Sequence, residues 1–128
     1  MDWEKLAGID ILILSDEDLI GYEHLLPQLI EQTGILVLTR GIHPATVYFD
    51  NTQLDFPVYP VEIADPTGAG DTFATGFLVN YLNTKDLTKA MAYGHVVASF
   101  CIEAEGLAGL TNLERVEERY AAYLKNLD

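Results

Sequence analysis

The hydrophobic and polar positions of this chain follow two alternating patterns. Ile9-Asp10-Ile11-Leu12-Ile13-Leu14 and Ile35-Leu36-Val37-Leu38-Thr39 are nearly continuous apolar runs. Runs of that length with so few polar interruptions predict strands covered on both faces. Residues 19–32 between them read as a helix interrupted by Pro27 and ended by Gly34. Residues 45–50 and 53–58 flank Asp50-Asn51-Thr52 and predict a β-hairpin, whose pairing Pro57 and Pro60 then break. Further on, Phe73, Phe77, Leu78 and Leu82 fall at helical spacing and predict a helix over 69–82. A second long helix is predicted over 87–103, with Thr84 or Asp86 as its cap. Its apolar Met91, Val97, Ala98 and Cys101 are interspersed with small Ala92, Gly94 and Ser99, which implies close helix packing. Thr111-Asn112-Leu113-Glu114 is a capping box that opens a closing helix, striped by Leu113, Val116, Tyr120, Leu124 and Leu127. Strands alternating with helices, plus one antiparallel hairpin, predict an α/β sandwich with a mixed sheet.

One stretch stands apart from this scaffold. Asp65-Pro66-Thr67-Gly68-Ala69-Gly70-Asp71 follows the strand-like residues 61–64 and opens the 69–82 helix. Gly68 and Gly70 remove side chains beside backbone N–H groups, so an anion can approach closely, and the helix dipole adds partial positive charge there. Asp71 places a carboxylate beside that anion site. A carboxylate repels a bound phosphate, so the position makes sense for a base that takes a proton from an attacking hydroxyl. A helix N-terminus whose Asp71 only caps or complements the dipole explains the same residues. Two commoner glycine motifs do not fit: GxxxxGK[ST] is absent, and Phe73 occupies the third glycine position of GxGxxG.

The Asp65–Asp71 heptapeptide resembles the C-terminal signature of the ribokinase-like, PfkB-type carbohydrate kinases. The resemblance implies a three-layer α/β/α sandwich, of which this chain is the C-terminal part only. It also implies an anion hole at Gly68, Ala69 and Gly70 for the transferring phosphoryl group, with Asp71 as the base that deprotonates the substrate hydroxyl. Thr75, where the family usually has Ala, Gly, Ser or Val, is a helix-packing departure. The family's Asn-x-x-Glu, which organises Mg²⁺ through water, corresponds to Ser15 and Asp18; from the residues alone these two also form a loose capping box. Thr39 and Gly41 match the family's Thr-x-Gly, which contacts the nucleotide, with Pro44 standing about where a second glycine is expected. His43 reads as an exposed loop residue. His95 lies at the spacing of a residue beside adenine and ribose; it reads equally as a core histidine satisfied by one hydrogen bond. In potassium-dependent relatives Asp65 and Thr67 join carbonyls from the region of 105–110 around a monovalent cation. The cofactors implied are therefore ATP and Mg²⁺, with K⁺ as the open case, and the partner a small sugar or polyol.

Composition narrows the reading further. The 128 residues are one domain's worth of chain, 49% hydrophobic and 21% charged, as in ordinary globular proteins. The net charge of −13 repels nucleic acid and anionic membranes, and it requires a phosphate site to be built locally from backbone N–H groups and metal. No apolar run reaches the ~18 residues of a membrane span. The first residues lack the basic and apolar regions of a secretory signal. Cys101, the single cysteine, reads as an inert buried helix residue and suits a reducing cytoplasm. No zinc spacing or nucleophile elbow is present.

The expectation for residues 1–128 is the nucleotide-binding and catalytic-base part of an ATP-dependent kinase, without the N-terminal substrate half and lid. The alternative is a non-catalytic binding or assembly module that needs a partner chain, either the missing N-terminal half or a second copy in a homodimer.

Overall fold

The computed structural model describes residues 10–60, 69–103 and 113–127. The chain divides into two compact units, Met1–Pro57 and Val58–Asp128.

The first unit is built on a four-stranded sheet in the order β1-β2-β3-β4, with β1 Ile11–Ser15, β2 Ile35–Arg40, β3 His43–Phe49 and β4 Thr52–Phe56. β1 and β2 run parallel, from Ile11 opposite Ile35 to Ser15 opposite Thr39, and the other two pairs are antiparallel. The mixed sheet is the one expected. The two apolar runs become the parallel pair, and β2 buries residues of both faces, Leu36 and Leu38 on one and Val37 on the other. Gly34 fits before β2 because a Cβ there would lie 2.9 Å from the carbonyl oxygen of Asp10.

Two local features differ from expectation. The single helix expected over 19–32 is two short 3-10 turns, Glu17–Leu19 and Glu23–Leu25, followed by helix α1 Leu26–Gln32. Gly21, at φ +85, breaks the run, and Pro27 lies in the first turn of α1, where its missing N–H costs nothing. Leu29 of α1 packs with Leu14, Leu19, Leu36 and Leu38 as the core of this unit.

The loop expected around His43 is instead a two-residue turn, Gly41-Ile42, so a second hairpin joins the expected one. Gly41 has φ +59, the requirement of a type II′ turn at its first central position. Pro44 sits beyond the end of the β3–β4 pairing and beside the bulge between Leu38 and Arg40, so no ladder bond is lost. In the expected hairpin, Asp50 and Asn51 both have positive φ, the type I′ geometry that matches strand twist.

The second unit holds three helices, α2 Ala69–Thr84, α3 Leu87–Glu103 and α4 Leu113–Asn126. Helices α2 and α3 approach closely, as the small residues imply. A Cβ on Gly76 would lie 2.4 Å from Val97 Cγ2, and one on Gly94 would lie 2.8 Å from the Phe73 ring. Helix α2 ends with Lys85 in the left-handed region at φ +54. Asp86 then caps α3, its Oδ1 accepting from the N–H of Lys89 at 3.1 Å.

Phe73 and Phe77 of α2 are buried, but Leu78 and Leu82, expected on the same apolar side, are exposed together with Val79. Helix α4 seats Val116 and Tyr123 against Ala92, Val96 and Phe100 of α3. Tyr123, outside the expected stripe, is among the most buried residues of α4. Arg119 lies over the Phe100 ring at 3.8 Å and donates to Ser99 Oγ at 3.0 Å, which ties the polar side of α4 to α3. Cys101 is buried, as expected. Among the described residues no helix is long and apolar enough to cross a membrane.

Candidate functional site

The expected site residues fall into two sets, one in each unit. In the sheet unit they gather where the parallel strands end, the carboxyl edge at which open α/β sheets bind ligands. Ser15 closes β1, and its N–H donates to Asp18 Oδ2 at 2.9 Å while the N–H of Asp18 donates to Ser15 Oγ at 3.3 Å. This reciprocal pair is a capping box made with Asp, so the loose box read from the residues does form. One oxygen of the Asp18 carboxylate is thereby oriented by the backbone.

Thr39, opposite Ser15, joins the same corner. Its backbone carbonyl accepts from the N–H of Asp16 at 2.9 Å, and its hydroxyl donates to the carbonyl of Leu14 at 3.3 Å. Gly41 follows in the tight turn, with open space where a Cβ would be. The sheet thus brings Asp18 and Thr39 to one edge, with Gly41 two residues beyond. His43 is exposed, as expected, although it begins β3 rather than lying in a loop.

In the helical unit the site is the first turn of α2. Ala69, Gly70 and Asp71 open the helix, so their N–H groups are among those an α-helix leaves without an internal partner. Among the described residues, its chain neighbours and own helix backbone apart, no atom lies within 4 Å of where a Gly70 Cβ would stand. Open space beside helix-start N–H groups that have no partner within the helix is what an approaching anion needs. Asp71 is exposed in the same turn. Thr75 Oγ1 donates to the Asp71 carbonyl at 3.0 Å, so the departure at position 75 is absorbed within the helix.

What fixes this turn is Phe73, two residues on and 3% exposed. Its ring lies against Gly94, and its centroid is 4.9 Å from that of His95. His95 is itself 5% exposed, and the Tyr123 ring also lies near it, its centroid 6.0 Å away. The imidazole is therefore enclosed by aromatic rings and lies within the packing rather than on an open surface. Burial also pushes the Tyr123 hydroxyl well above the usual phenol range, because the phenolate would be desolvated. Sequence reasoning missed the Tyr123 partner of His95. Its only signal is a second aromatic three residues after Tyr120 in the closing helix.

Asp65, Thr67 and Gly68 lie outside the described residues, as do the strand expected over 61–64, the loop around 105–110 and the Thr111 cap. Among the described residues no group of three His, Cys, Asp or Glu side chains could hold a metal ion. A metal at Asp18 would have one protein carboxylate and would depend on phosphate and water for its other ligands, an arrangement that suits Mg²⁺.

Known proteins are similar to this chain in sequence and fold. Residues 2–113 match the pfkB family of carbohydrate kinases. A nucleoside kinase of Methanocaldococcus jannaschii is 34% identical over 92 residues, covering 70% of this chain and 30% of that protein. An uncharacterized sugar kinase of Archaeoglobus fulgidus is 47% identical over 77 residues, covering 59% and 31%. The crystal structure of the M. jannaschii nucleoside kinase, an archaeal member of the ribokinase family, superposes with a TM-score of 0.77 at 28% identity, covering 88% of this chain and 40% of that one. The chain thus spans about a third of the length of the relatives it matches. The family match over residues 2–113 and these likenesses agree: the chain belongs to the pfkB family of carbohydrate kinases.

Proposed function

We propose that this chain supplies the nucleotide site and the catalytic base of an ATP-dependent kinase acting on a hydroxyl of a sugar, polyol or nucleoside. The observation that carries the reading is the exposed Asp71 carboxylate in the first turn of α2, beside the open position at Gly70. The nucleoside kinase and sugar kinase likenesses support the substrate class.

In this reading the Asp71 carboxylate takes the proton from the substrate hydroxyl. The freed oxygen attacks the γ-phosphorus, and the bond to the bridging oxygen of the departing ADP breaks. The N–H groups of Gly68, Ala69 and Gly70 receive charge that develops on the transferring phosphoryl oxygens, and such preorganised donors supply much of the rate. Thr39 and Gly41 contact the nucleotide. Asp18 would hold Mg²⁺ through water, and the ion would supply positive charge against the phosphates. Asp65 and Thr67 keep the monovalent-cation role that the resemblance implies. His95, enclosed by Phe73 and Tyr123, acts in this reading by seating the α2 turn beside the nucleotide rather than by reaching into it.

The test is turnover of sugars and nucleosides with ATP, measured on the chain alone and after adding the remaining portion of a longer relative. Turnover that appears in the completed protein and falls by about 10²–10⁴ in Asp71→Asn, the range of a general base, is expected. Full turnover in Asp71→Asn would contradict the assignment.

A second reading, a non-catalytic module completed by another chain, is favoured by one observation. Leu78, Val79 and Leu82 of α2 are 37%, 52% and 64% exposed. Light scattering that finds an oligomer blind to nucleotide would favour it.

A further inference from the structure

Arg40 is the only lysine or arginine between Asp10 and Pro57, in a stretch otherwise rich in carboxylates. It stands between Thr39 and Gly41, and its guanidinium is engaged by the sheet. Nη1 donates to the carbonyl of Pro44 at 3.1 Å and to Thr46 Oγ1 at 2.6 Å. The Thr46 hydroxyl, having accepted that bond, donates its own proton to Asp55 Oδ1 at 2.6 Å. Thr46 is 1% exposed, and Asp55 lies directly opposite it on β4. A line of three side chains thus crosses β2, β3 and β4.

The position of this line explains its use. The β2–β3 pairing slips between Leu38 and Arg40, and a bulge leaves local backbone direction less constrained by ladder bonds. Side-chain ties take over on both sides of the slip. Thr39 Oγ1 reaches back to the Leu14 carbonyl on β1, and Arg40 reaches forward across the turn to Pro44 and Thr46 on β3. Residues 39 and 40 are thereby fastened from two directions immediately before Gly41.

We propose that Arg40, held through Thr46 by Asp55, is a positioning residue that fixes the Thr39–Gly41 turn in the geometry that receives the nucleotide, without touching the nucleotide itself. The inference rests on the reading of Thr39 and Gly41 as nucleotide contacts.

The test uses the full chain and a non-hydrolysable ATP analogue with Mg²⁺, titrated by calorimetry. Hydrogen exchange at the amides of Arg40 and His43, the pair that closes the turn, is measured in parallel without ligand. Thr46→Val and Arg40→Met should each speed that exchange and weaken analogue binding about tenfold, the scale of one charge-assisted hydrogen bond. Their double variant should be no worse than either alone, because both cut the same chain of contacts. Thr46→Ser, which keeps the hydroxyl, should restore both readouts.

If Thr46→Val does not fold, Asp55→Ala at an exposed position carries the same expectation. Unchanged affinity in Thr46→Val or Asp55→Ala overturns the inference. So does weakening confined to Arg40→Met, which would mean that the guanidinium grips phosphate directly. A folded wild-type chain that binds no analogue overturns instead the nucleotide reading, and the inference with it.

Discussion

The sheet unit and the helical unit hold their candidate residues in different ways. At the sheet edge, Asp18 and Thr39 are fastened by directional hydrogen bonds: the Ser15–Asp18 box and the Thr39 ties to Asp16 and Leu14. Asp71 is held by packing, because Phe73 in the same helical turn is pressed between Gly94 and His95. Hydrogen bonds fix the orientation of a few atoms and each contributes modestly, whereas buried aromatic surface fixes a whole helical turn at larger energy. The two units should therefore respond very differently to substitution.

The largest effect is expected at the Phe73 seat. Phe73→Ala removes a buried aromatic side chain and should cost about 3–5 kcal/mol of stability, read by denaturant unfolding. A loss below about 1 kcal/mol would mean that packing does not hold the Asp71 turn. Gly94→Ala attacks the same seat from α3. Its Cβ would stand 2.8 Å from the Phe73 ring and 3.0 Å from the Phe73 carbonyl oxygen. Overpacking of this kind costs about 1–3 kcal/mol and outweighs the better helix propensity of alanine, worth about 1 kcal/mol. A thermal midpoint that rises in Gly94→Ala would break the argument for close α2–α3 contact.

Asp18→Ala, at the sheet edge, loses one capping interaction and should cost about 0.5–2 kcal/mol. Asp18→Asn keeps an acceptor for the Ser15 N–H and should retain most of that stability. If Mg²⁺-dependent nucleotide binding falls in Asp18→Asn while stability does not, the carboxylate has a role beyond its cap.

Much of this architecture was legible in the chain. The apolar runs over 9–14 and 35–39 announced the strands Ile11–Ser15 and Ile35–Arg40, and Asp50-Asn51-Thr52 announced a hairpin, its first two residues tolerating positive φ. The helix expected over 19–32 failed because apolar spacing alone cannot weigh the positive φ of Gly21, nor tell a proline that opens a helix from one that interrupts it. The β2–β3 turn was hidden by Ile42, an apolar residue 67% exposed at a turn, and by Pro44 beside a bulge.

At the candidate site, the residue types of the α2 turn were themselves the basis of the chemistry proposed for it. The partners of those residues did not show, because they come from elsewhere in the fold. Tyr123 meets His95 only through the packing of α4 on α3, and Asp55 reaches Arg40 only through strand register.

The central claim is that the opened start of α2 receives nucleotide phosphate while Asp71 serves the chemistry. Calorimetric titration of the folded chain with a non-hydrolysable ATP analogue, in Mg²⁺ and K⁺, tests it most directly through Gly70→Val and Asp71→Asn. Among the described residues outside its own helix a Cβ at Gly70 meets no atom within 4 Å, so the valine is expected to obstruct a ligand rather than that packing. The account predicts binding that weakens at least about tenfold in Gly70→Val, where backbone approach is blocked, and survives in Asp71→Asn. Equal affinity in the wild type and Gly70→Val, or no binding by a demonstrably folded chain, would contradict it.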